Sequence, residues 1–132
     1  MIIVLTGRVR STIPGREPLM LEPGTVTLFP QDHRHTSEYL TDTHLMSIHI
    51  ESTSPLFDAA AQFTTSGMSD FGRQCLTKLT DAASGAHIGH FAAASCVCGL
   101  LSEFAERVRA AAPSSGNSPR SAPSPTTRGM QP

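Results

Sequence analysis

The first fifty residues alternate apolar and polar positions in short bursts broken by Gly and Pro. "IIVLTGRVRSTI" is rich in β-branched residues and stops at Pro14-Gly15, a turn signal. "EPLML" follows and meets a second turn at Pro23-Gly24, after which come "TVTLF", "HTSEYL" and "THLMSIHIE". In the last of these, Leu45, Ser47 and His49 alternate against Met46, Ile48 and Ile50, so the two sets face opposite sides of a strand. Short strands at roughly ten-residue spacing predict a β-sandwich or barrel.

The period changes after Pro55. "SDFGRQCLTKLTDAA" sets Phe71, Cys75, Leu79 and Ala82 at helical spacing, with Ser69 placed as N-cap. From Ala86 to Ala112 the chain is Ala-rich, and Phe91, Ala94, Val97, Leu101, Phe104 and Val108 form one apolar stripe. Helices that follow a β unit, rather than alternate with its strands, predict an α+β fold. The 86–112 helix carries more apolar face than a small sheet covers, which makes it a candidate homodimerisation element. The expected organisation is a β unit over 1–54, a helical segment over 55–112, and a Pro/Ser-rich tail over 113–132. That tail has too few apolar residues to offset the entropy of ordering, so it reads as disordered.

Composition narrows the partners. The chain has 132 residues and a formal net charge of −1, so no basic surface points to nucleic acid or anionic lipid. "MIIVL" is too short for the core of a signal peptide, and no apolar run approaches a membrane span. Three cysteines, at 75, 96 and 98, suggest no disulfide framework and fit a reducing cytoplasm. "CVC" directs its sulfurs to different sides of a helix and is neither a redox nor a zinc motif; the cysteines read as small buried apolar residues.

"LFPQDHRHTSEY" is the stretch with most chemistry. His33 and His35 stand two apart, so on an extended strand both imidazoles face one side, with Asp32 before and Glu38 after. His87 and His90 form a second pair three apart near the start of the long helix. Neither pair reaches the three or four ligands that a stable metal site needs, and both fit solvent-facing or hydrogen-bonded histidines. No G-x-S-x-G, G-x-x-x-x-G-K or H-E-x-x-H occurs, so no enzymatic constellation is predicted.

Taken together, "VLTGRVRSTIPGREPLMLEPGTVTLFPQDHRH" and "MSIHIE" resemble the cupin sensor domain of AraC-type transcriptional regulators. The likeness covers residues 2–51, and the two later helices match that family's dimerisation helices. The second cupin motif, G-x5-P-x-G-x2-H-x3-N, is met by Gly24, Pro30 and His35, while Asp32 and Tyr39 depart from it. His35 therefore occupies that motif's ligand position. The first motif, with the remaining metal ligands, falls before Met1 if Gly7 is its final glycine, so no bound metal or other cofactor is expected.

The resemblance implies a cupin-like double-stranded sandwich, incomplete at its N-terminal side. It further implies a domain that senses a small effector, a sugar or small organic acid. It dimerises through the 86–112 helix and reaches DNA only through a helix-turn-helix domain missing from this chain, as in a truncated or frameshifted gene product. His35 is the candidate ligand-binding residue. Arg8, Arg10 and Glu38 either line the same pocket or lie on the outer face of the sheet. A small stand-alone cupin, either a metal-dependent enzyme or a sugar-binding module, is the alternative.

Overall fold

Gly7 decides how the opening segment folds. The computed structural model describes residues 1–30 and 33–111; Gln31, Asp32 and the tail expected at 113–132 lie outside them. At Gly7 the backbone takes φ +90°. A Cβ there would run into the Asp42 carbonyl oxygen and lie 2.6 Å from Thr43 Oγ1, so only glycine fits. The stretch "IIVLTGRVRSTI" is thereby split into β1 (Ile2–Thr6) and β2 (Val9–Thr12), which enter different sheets.

The remaining elements are β3 (Leu19–Leu21), β4 (Thr25–Leu28), β5 (Thr36–Tyr39), β6 (His44–Ser47), β7 (Ala61–Thr64), α1 (Asp70–Ala83) and α2 (His90–Ala111). The fold is α+β: two antiparallel sheets, ordered β6-β1-β4-β7 and β3-β2-β5, and two helices. The turn signals Pro14-Gly15 and Pro23-Gly24 hold, with both glycines at positive φ. β7 lies inside the segment read as helical. Its four residues carry one large apolar side chain, Phe63, too little for a periodicity to register.

The four-stranded sheet is covered on both faces. On one face, register aligns Met46, Ile3, Val26 and Phe63 across all four strands. Against this row pack Cys75 and Leu79 of α1 and Cys96, Leu100 and Phe104 of α2. Phe104 meets Phe63 edge-on with centroids 4.6 Å apart. Each fully buried side chain of this size contributes about 1.5–3 kcal/mol relative to exposure. On the other face, Val4 packs with Val9 and Leu21 of the three-stranded sheet. One polar tie crosses that second interface. Thr27, fully buried, accepts from Gln62 Nε2 at 2.9 Å, and the same amide nitrogen donates to the Met20 carbonyl of β3 at 2.9 Å.

Ser69 caps α1 as expected, its hydroxyl accepting from the Gly72 N–H at 3.1 Å. That hydroxyl also bonds the Glu103 carboxylate, and the Ser69 N–H donates to Glu103 Oε1 at 3.1 Å, tying α1 to α2. The Arg107 guanidinium lies 5.3 Å from the centre of the Phe63 ring and donates to the Gly67 carbonyl.

The rotation of α2 differs from the expected stripe. Leu100 and Phe104 face the sheet, whereas Phe91 is 86% exposed and Ala94 is also exposed. Gly99 sets this rotation, because a Cβ there would stand 2.6 Å from Cys75 Sγ, so α1 can approach closely only on that side. Cys75 and Cys96 are buried as expected, but Cys98 is exposed. Among the described residues, no helix is long and apolar enough to cross a membrane.

Candidate functional site

β1 runs antiparallel to both β4 and β6, so its start lies beside their ends. That end of the four-stranded sheet opens into a groove. One half has a volume of about 500 Å³ and includes Ile2, Phe29, His33, His35, His49 and Glu51. The adjoining half, of about 350 Å³, is completed on the helix side by Phe57, Asp58 and Leu101. Leu28, Phe29, Pro30, His33 and Ile50 belong to both halves. Concave volumes of this size with an apolar floor and a few polar groups are the usual form of a small-molecule site.

Strand geometry explains who lines the groove. Along the end of β4, Leu28 points to the helices and Phe29 to the second sheet. In "THLMSIHIE", Met46, Ile48 and Ile50 pack on the helix-side core, as the alternation predicts, which leaves His49 on the other side and exposed. His35 precedes β5 and reaches back over the end of β4. Its ring stacks on Phe29 with centroids 4.2 Å apart and planes 8° from parallel.

The four candidate residues, His35, Arg8, Arg10 and Glu38, are not brought together. His35 is on the groove. Arg10 and Glu38 lie opposite each other on β2 and β5 and form an exposed ion pair at 3.0 Å. Val9 and Ser11, which alternate with Arg10, are the buried residues of β2, so Arg10 and Glu38 occupy the outer face. Arg8 pairs with Glu22 at 3.4 Å, also away from the groove lining. Of the histidines, His33 is exposed as expected, yet it stands at the junction of the two halves. His87 and His90 do not converge. His87 lines a separate cavity with Lys78 and Asp81, while His90 packs edge-on against Phe91 at 5.4 Å.

His49, Glu51 and Asp58 are the groove residues the sequence did not single out. Only the placement of His49 opposite Ile48 and Ile50 was visible in the alternation; the carboxylates join through folding of the segment after β6. Among the described residues, no three His, Cys, Asp or Glu side chains are arranged to hold a metal ion. The Met1 amino group, also at the groove, donates to the Ile48 carbonyl at 2.8 Å, and burial pushes its pKa below the ordinary value.

The molecule so defined is an α+β protein with a groove at one end of a two-sheet unit. No family model, no curated protein and no solved structure matches the chain.

Proposed function

We propose that this chain is a ligand-sensing and dimerisation module, similar to the cupin-like sensor domain of AraC-type transcriptional regulators. The groove carries the reading: an apolar floor walled by His33, His35 and His49, at the end of two facing antiparallel sheets. Its support from sequence is the order Gly24, Pro30, His35, followed by two helices. In this reading the module binds rather than catalyses, DNA contact belongs to a helix-turn-helix domain, and the three free thiols suit the cytoplasm.

Dimerisation is assigned to α2. Phe91, Ala94, Cys98, Leu101, Ala105 and Val108 recur at alternating spacings of three and four, the seam of a two-helix coil. Phe91, Ala94 and Cys98 are exposed, and the other three are half-buried. Sedimentation velocity over a range of concentrations tests this assignment. A monomer–dimer equilibrium abolished by Cys98→Asp, at an exposed position of this seam, supports it. Phe91→Asp, at a position that packs on nothing in the core, must weaken the dimer as well, without unfolding the chain. A monomer at all concentrations overturns it. For the sensor role, a thermal-shift panel of sugars, small organic acids and amines is the direct measurement, since a ligand that binds only the native state raises apparent stability. Stoichiometric iron, manganese or zinc in the purified protein would instead favour a stand-alone metal-dependent cupin.

A further inference from the structure

We propose that the groove takes a small amphipathic amine, its cationic head at Asp58 and its apolar body on Leu28, Ile50 and Phe57. The inference rests on the ligand-sensing reading and gives its ligand a chemical class. Sugars and organic acids are the effectors that the resemblance alone would suggest, and the charge of the groove disfavours the acids.

Charge is the first reason. Among the described residues lining the helix-side half, Asp58 is the one fixed charge, and the adjoining half adds Glu51. No Lys or Arg lines either half. Neither carboxylate has an ion-pair partner among the described residues. The Met1 amino group does not compensate Asp58, because it lines the other half and is turned to the Ile48 carbonyl. A carboxylate ligand would thus be repelled, and an ammonium attracted.

The walls and floor agree. No hydrogen bond occupies the imidazoles of His33 and His49 among the described residues, so each retains a ring nitrogen able to accept from an N–H. The half-buried Phe57 ring lines the helix-side half beside Asp58. Leu28, Ile50 and Leu101 give an apolar strip along a lining that is otherwise largely polar, room for a short apolar body beside a polar head.

Three probes with one body and different heads decide the matter: 2-phenylethylamine, 2-phenylethanol and 3-phenylpropionate, titrated calorimetrically into the full chain at pH 7. Saturable binding in the order amine, alcohol, acid is expected. Asp58→Asn should weaken the amine by about three- to fivefold, the size of a solvent-exposed charge pair, and leave the alcohol unchanged. Adding Glu51→Gln should bring amine and alcohol together. Both side chains are exposed, so the variants keep the fold, as circular dichroism would verify. The proposal is overturned if the acid binds as tightly as the amine, if the amine preference survives the double variant, or if no amine binds. Sugars or acids that bind when the amine does not would sink the amine assignment and leave the sensor reading standing.

Discussion

Phe29 and His35 stack face to face, 4.2 Å between ring centroids, and so join the end of β4 to the start of β5. The contact closes the loop between the two sheets and forms one wall of the groove. Phe29 also packs toward the Val4, Val9 and Leu21 cluster, while His35 is otherwise exposed. One ring is therefore part of the core and the other rests on it.

That asymmetry predicts unequal costs. Phe29→Ala should lower stability by about 2–4 kcal/mol, somewhat under the range for a fully buried aromatic. His35→Ala should cost only about 0.5–1 kcal/mol, the worth of the ring contact. Urea denaturation of both single variants and the double gives the coupling. A coupling near zero would show that the stack adds nothing to folding.

Thr27 and Gln62 supply the second prediction. Thr27 is fully buried and shares the Gln62 amide with the Met20 carbonyl, the polar link between the sheets. Thr27→Val keeps the shape but removes the acceptor, leaving one N–H of Gln62 without its partner, at a cost of about 1–2 kcal/mol. Combining it with Gln62→Met removes donor and acceptor together. The double variant should be less destabilised than the two single costs added, and strict additivity in chemical denaturation would argue against a working tie.

Much of this architecture was visible in the sequence where one residue type has one local meaning. Pro14-Gly15, Pro23-Gly24 and the Ser69 cap act within a few residues of themselves, so spacing alone located them. Gly7 was different. A glycine within an apolar run marks either a weak strand position or a corner, and the choice rests on Asp42 and Thr43, more than thirty residues away. α2 was ambiguous for another reason. It carries two apolar rows, one through Cys96, Leu100 and Phe104 and one through Phe91, Cys98 and Leu101, and hydropathy cannot rank them. The buried row is the one that lets Gly99 meet Cys75. The groove was the least legible feature, since His35 announced itself by motif, whereas His49, Glu51 and Asp58 gather only once β6 and the turn after it are in place.

Cys75 makes stability depend on alkaline pH. Burial first, and then the neighbouring Cys96 thiol, push the Cys75 thiol above its ordinary value of 9.0. The folded state thus holds a proton that the unfolded state releases. The associated stability is complete below the unfolded pKa and is lost as pH rises from about 9 toward the folded pKa. Cys75→Ala should be less stable at neutral pH, through lost packing, yet lose less on going from pH 8 to pH 10.5. Parallel slopes for the two proteins over that interval, from urea midpoints, would show that Cys75 does not titrate differently in the two states.

Gly7→Ala is expected to be the most damaging small substitution in the chain. Two costs combine: a left-handed backbone conformation forced on an L-residue, about 1–2 kcal/mol, and a methyl group driven against the Thr43 Cα, which lies 2.7 Å from where it must sit. The neighbour is backbone, so the Asp42–Thr43 turn must move, and with it the pairing of β6 with β1. A loss above about 3 kcal/mol follows, seen as a large drop in urea midpoint. Gly15 is the internal control. It also has positive φ, but no atom lies within 4 Å of the position a Cβ would take, so Gly15→Ala carries the conformational cost alone. Equal destabilisation of the two variants would mean that β1 and β2 do not part at Gly7 by close packing against the Asp42–Thr43 turn.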